Sequence, residues 1–166
     1  MKVTADKKDF KNSYKKHYYT YKTLDDKNSS KFSRQLLLFY SVECGLKCKL
    51  LEKWKLNSPK EIFENKNDER NRSIGSHNIK IIIKELGCEG RFSFSHFKTI
   101  HKDYISIESY HQVCRYGIKI DDKDVTALQN KDLGLTLLYL QTEDEKTGFY
   151  IYDVDNNKVL RQYHHQ

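Results

Sequence analysis

The chain has 166 residues, 37% of them apolar, 13% aromatic and 32% charged, with a formal charge of +7. That length suits one domain able to remove roughly 70% of its unfolded surface from water. The composition excludes collagen-like and low-complexity chains, and no apolar run reaches the roughly eighteen residues that a membrane-spanning helix needs. "MKVTADKKDF" carries no apolar signal core, so the expectation is a cytoplasmic protein with no membrane attachment.

The positive charge is uneven. Residues 1–60 hold 15 Lys/Arg against 6 Asp/Glu, and residues 61–166 hold 15 against 17, so the first 60 residues carry +9 and the remainder −2. Clustered positive charge suits a polyanion partner such as RNA. The same excess also fits a Lys-, Asn- and Ile-rich coding bias, since 24 of the 30 basic residues are Lys.

From Phe10, large residues recur at Tyr14, His17, Tyr18, Tyr21 and Leu24, which predicts an amphipathic helix. Lys8, Lys11, Lys15, Lys16 and Lys22 fall on its other face, and Lys11, Lys15, Lys16 and Lys22 are the candidate RNA-binding residues. The tyrosines either stack bases or, as is usual at this spacing, pack on the core. Residues 33–56 are apolar on nearly every face between Leu36 and Leu51, which predicts a central helix covered by neighbours. Within it Glu43 and Lys47 are spaced for an ion pair, although Glu43 could instead meet a partner from another helix, such as Arg115. Cys44 and Cys48, one turn apart, read as small buried hydrophobes rather than metal ligands, and neither they nor Cys88 and Cys114 form a disulfide framework.

Ser58, Pro59 and Glu61 match N-cap, N1 and N3 of a capping box, so a short helix is expected there. Residues 65–76 read as a solvated loop, and Ser76 as the cap of a helix through Ile79, Ile82, Ile83 and Leu86 that stops at Gly87. A further helical stripe is expected through Phe94, Phe97, Ile100, Tyr104, Ile107, Tyr110 or His111, and Cys114, closing at Gly117. Another helix is expected from about Asp121. Residues 147–166 read as a C-terminal hairpin or tail around "DNN", set apart from a helical domain over residues 1–146.

No phosphate-binding Gly-rich loop, metalloprotease motif, nucleophile elbow or calcium loop is present. His77 is the histidine placed most like a functional group, at the expected start of a helix beside a polar loop. There an anion can meet free N–H groups, with Arg70 or Arg72 as clamp.

The apolar central segment "LLLFYSVECGLKCKLL", the polar loop, "SHNIKIIIKELG" and then "YHQVCRYGI" resemble, over roughly residues 30–140, the HEPN superfamily of small helical proteins. Many of its members are metal-independent endoribonucleases built on an Arg followed, about four to six residues later, by a His, often with a polar residue after the Arg. Here Arg72 precedes His77 with four residues between, and Arg70, followed by Asn71, precedes it with six; Arg91 and His96 repeat the shorter spacing. The resemblance implies an all-α bundle of five or six helices, His77 as general acid or base, Arg72 or Arg70 stabilising charge on phosphate, and a homodimer whose two motifs share one cleft. It implies no cofactor and no metal. It leaves two functional expectations: a toxin- or defence-type endoribonuclease acting on RNA, or a non-catalytic interaction subunit that assembles with protein partners.

Overall fold

A reciprocal cap starts the first helix. Asp6 accepts from the Asp9 amide at 2.8 Å, and Asp9 accepts from the Asp6 amide at 3.0 Å, so α1 (Lys7–Thr23) begins three residues before the apolar stripe does. The computed structural model describes residues 4–24, 29–92, 94, 96–120, 149–153 and 158–163. Tyr14 of α1 is buried, with Phe10, Tyr18 and Tyr21 packed against the same core. The stripe therefore faces inward, and of the α1 tyrosines only Tyr19 is strongly exposed, at 71%.

The long central helix is α2 (Lys31–Lys53). It packs against α1, against α5 (Ile79–Leu86) and against α6 (Tyr110–Tyr116). Its apolar side chains turn in several directions because helices cover it on several sides: Leu38, Phe39, Val42, Leu46, Leu50 and Leu51 are all buried. The Ser41 hydroxyl donates to the Tyr14 carbonyl at 3.0 Å, so even the polar residue at the α1–α2 contact is satisfied.

Two short helices link α2 to α5. In α3 (Lys60–Glu64) the N-cap is Pro59, and Ser58 Oγ accepts from the Lys60 amide at 3.2 Å. The expected capping box is thus replaced by a local turn. The expected loop contains α4 (Asn71–Ile74), with Ser73 and Ile74 buried, so its few small and apolar residues suffice to dock it. Helix α5 is capped by Asn78, whose side chain accepts from the Ile81 amide at 3.2 Å. Ser76 instead accepts from the Asn78 amide at 2.7 Å. Gly87 and Gly117 end α5 and α6 at φ 77 and 63, in the left-handed region that glycine enters without a Cβ penalty.

The helix expected from Phe94 is broken. Strands β1 (Phe97–Lys98) and β2 (Tyr104–Ile105) pair antiparallel in its place, followed by a 3-10 turn at Ile107–Ser109 and then α6. Thr99 causes the break: its Oγ accepts from the His101 and Asp103 amides at 3.2 and 3.3 Å, and Lys102 takes φ 67 to complete the reversal. The chain after α6 returns to this hairpin, where Ile100 donates to the Lys119 carbonyl at 3.0 Å and Thr99 bridges Ile120.

The helix expected from Asp121 lies outside the described residues. The C-terminal segment forms a hairpin of β3 (Phe149–Asp153) and β4 (Lys158–Tyr163), with a register shift between Ile151 and Tyr152; the expected "DNN" turn also lies outside the described residues. The fold is an all-α bundle with small β elements, and no described helix is long and apolar enough to cross a membrane.

Leu46, fully buried on α2, should lose about 3–5 kcal/mol of stability as Leu46→Ala, by lost transfer energy plus an unfilled cavity. Leu37→Ala, at a half-buried position, should lose less than half as much. Urea unfolding of both variants checks this; equal losses would contradict the central position of α2.

Candidate functional site

The apolar face of α2 carries a charge. Glu43 and Lys47 are both buried, and Lys47 Nζ donates to Glu43 Oε1 at 2.6 Å. Of the two arrangements open in the sequence, the i,i+4 pair forms. Glu43 also has a partner from another element, His77 rather than Arg115. His77 Nδ1 lies 3.1 and 3.0 Å from the two Glu43 oxygens. An ionised carboxylate only accepts, so Nδ1 carries the hydrogen and Nε2 is left as the basic nitrogen. The His77 side chain is 57% exposed, and Nε2 has no partner among the described residues. The histidine thus presents one nitrogen to a buried anchor and the other to solvent.

Local structure explains how His77 reaches Glu43. With Asn78 as an extended N-cap, His77 stands just before α5 rather than within its first turn. Its side chain is therefore free to turn back over α2. The anion site expected at this helix start is altered accordingly, since Asn78 already occupies one of the free amides.

A second histidine joins the cluster from α6. The His111 ring lies 5.0 Å from that of His77 and 5.3 Å from that of Phe39. His111 is buried, and its enclosed Nδ1 makes no hydrogen bond of normal geometry. Burial first, and then the neighbouring His77 charge, hold its pKa below the usual 6.5, while Glu43 and the Glu108 backbone pull the other way. On α1, His17 packs 6.0 Å from the Tyr40 ring, and burial lowers its pKa against the opposing pull of Glu43. Cys44, beside this cluster, has its thiol pushed up to about 12 by burial and by Glu43, so it is no nucleophile near neutrality.

The arginines separate cleanly. Arg70 is committed to Asp68, with Nε 3.0 Å from Oδ1 and Nη2 2.6 Å from Oδ2, and its guanidinium sits 5.6 Å over the Trp54 ring. That hydrogen-bonded pair holds the Asp68 carboxyl below its ordinary value. Asn71 is structural as well, donating to the carbonyls of Ile62 at 3.0 Å and Asn65 at 2.8 Å and so tying α3 to α4. Arg72 is exposed on α4, with its guanidinium engaged by no described residue. Arg91 and His96 are both exposed, and His96 has no carboxylate anchor among the described residues. Lys15, Lys16 and Lys22 are exposed on α1, and Lys11 is half-buried.

Sequence reasoning found His77 but missed its acceptor and its neighbour. The available signals were an acid inside an otherwise apolar helix and a histidine sharing a core stripe with Tyr110. All four cysteines are free thiols, and no group of three or more His, Cys, Asp or Glu with metal-binding geometry occurs among the described residues. Comparison with protein-family models, characterised proteins and solved structures returns no match.

Because the lowered His111 and His17 values lie below 6.5, the unfolded chain binds more protons than the folded one as pH falls through that value. Stability is full above about pH 6.5 and declines on acidification toward the lowered folded values. The urea midpoint should fall between about pH 7.5 and about pH 5.5, and His111→Phe should flatten part of that fall. A wild-type midpoint that holds or rises on acidification would refute the assignment.

Proposed function

We propose that the chain is a HEPN-like, RNA-directed protein that cleaves RNA without a metal, with His77 as general base and Arg72 as the phosphate-stabilising cation. The observation that carries this reading is the His77–Glu43 contact. A buried carboxylate fixes the Nδ1–H tautomer and aims Nε2 at solvent, the arrangement a base needs to take a proton from a ribose hydroxyl. The His96 match has no such support, and Arg70 is neutralised by Asp68, so of the alternative spacings the four-residue one is favoured.

In this mechanism His77 Nε2 removes the 2′-hydroxyl proton, and the 2′-oxygen attacks the adjacent phosphorus. The 5′-oxygen leaves with a proton, and a 2′,3′-cyclic phosphate remains. Arg72 donates to the non-bridging oxygens as their charge rises. A second copy of the chain facing the first supplies the acid for the leaving oxygen through its own His77, which makes a homodimer part of the proposal. The exposed lysines of α1 hold flanking phosphates.

Wild-type protein in EDTA should cleave RNA, and His77→Ala should lower the rate about 10²–10⁴-fold. Arg72→Ala should lower it comparably, whereas Arg70→Ala should act on stability more than on rate. Absence of wild-type cleavage, or full activity in His77→Ala, would overturn the catalytic reading and leave the interaction-subunit alternative.

RNA affinity should fall steeply with salt, and Lys15→Gln, Lys16→Gln and Lys22→Gln should each flatten the log–log slope by about 0.7. Filter binding across a salt series measures this; an unchanged slope in the triple variant would place the phosphate contacts elsewhere.

A further inference from the structure

Two strongly exposed aromatic side chains lie toward one end of α6. Tyr104 is 75% exposed and Tyr116 is 70% exposed, and Ile100 beside them is 49% exposed. The placement is fixed by backbone: Tyr116 ends α6, and the chain that leaves it is hydrogen-bonded at Lys119 and bridged at Ile120 to the hairpin carrying Tyr104. Each ring has a cation over it. Lys98 Nζ sits 4.6 Å from the Tyr104 centroid, and the Arg115 guanidinium 6.0 Å from that of Tyr116.

Among the described residues the surrounding charge is mainly positive. Lys98, Lys102, Arg115 and Lys119 are exposed here, while the nearby acid, Asp103, lies 3.4 Å from Thr99 Oγ within the hairpin turn. Arg115 is also one helical turn from His111 and close enough to depress its pKa. The surface therefore begins at the His77 cluster and runs outward along α6.

We infer that this face binds single-stranded RNA, with unpaired bases stacking on Tyr104 and Tyr116 and the adjoining phosphates neutralised by Lys98, Arg115 and Lys119. A ring paired with a cation matches the repeating unit of a single strand, which offers a flat apolar base beside a negative phosphate. In a duplex the bases are stacked on each other and unavailable to either ring. An acidic protein partner would satisfy the cations but gives no reason for the two open ring faces. The inference rests on the proposed function for the identity of the polymer, while its geometry is independent of the chemistry at His77.

The test is fluorescence anisotropy with a labelled single-stranded oligouridylate and, as control, the same strand annealed to oligoadenylate. The protein carries His77→Ala so that the probe survives. The single strand should bind more tightly than the duplex, and Tyr104→Ala with Tyr116→Ala should weaken single-strand binding by about 30-fold or more, leaving duplex binding unchanged. The Tyr104→Phe, Tyr116→Phe pair keeps both rings and should keep affinity. Unchanged single-strand affinity in the Ala pair, equal preference for duplex, or loss in the Phe pair equal to that in the Ala pair would overturn the inference; the first of these would assign the face to a protein partner. Cleavage of a dinucleotide too short to reach both tyrosines is read in parallel with His77 intact. Failure there with stacking-dependent binding intact would sink the catalytic reading and spare this one.

Discussion

A carboxylate in the middle of the central helix is the constraint around which the site is arranged. Glu43 is only 5% exposed on α2, where an unpaired charge would cost several kcal/mol. Lys47, one turn on, reaches it at 2.6 Å but cannot fill the acceptor capacity of two oxygens. His77 supplies the missing donor from outside α2, from its place just ahead of the Asn78 cap of α5. Deleting Lys47 alone would leave the charge uncompensated, at about 3–5 kcal/mol, so the pair constrains the fold even where it adds little net stability.

That asymmetry bears on function. Buried ion pairs replaced as a unit by well-packed apolar residues often leave a protein as stable or more so. A core built only for stability has little use for Glu43 and Lys47 beside Val42 and Leu46. What the pair does provide is a fixed acceptor at the rim of the bundle, to which one imidazole is fastened by a single nitrogen. His111 extends the same logic: its ring closes the cluster against Phe39, and its lowered pKa leaves Glu43 without a second permanent cation from that side. On the proposed reading, the exposed nitrogen of His77 gains its tautomer from a group placed for that purpose in the core.

Elements with strong periodicity were legible in the sequence. The stripe of α1, the all-round apolar α2, the isoleucines of α5 and the glycine stops at 87 and 117 each follow from spacing and backbone preference, and each is present. The stretch from Phe94 to Ser109 was not, because its apolar residues also fit strands, and one hydrogen-bonding Thr99 decided the outcome by closing a turn within reach of helical spacing. The two arginines could not be separated by counting. Asp68, two residues before Arg70, was the deciding group, and its effect needs the turn geometry that places both oxygens on the guanidinium. Glu43 and His77 are 34 positions apart, and no local pattern joins residues at that separation.

The same distance in sequence explains why the proposed binding surface is assembled from weak local signals. The α1 segment "YKKHYYTYK" looks like a stacking surface, yet packing consumes Tyr14, Tyr18 and Tyr21 and leaves mainly its lysines outside. Besides Tyr19, the rings that remain open are Tyr104, from a stripe that helical periodicity would have buried, and Tyr116, from the end of α6 outside that stripe. On the proposed reading, α1 offers mainly cations, while the α6 end offers cations together with two open rings. Both elements reach the Glu43 cluster, through His17 and His111 respectively. A flexible strand can follow such a divided surface because its charge and its stacking faces rotate independently along the backbone, whereas a rigid duplex presents phosphate alone. On that reading, open rings set beside cations at the α6 end, with further cations on α1, are an argument for an unpaired ligand passing His77.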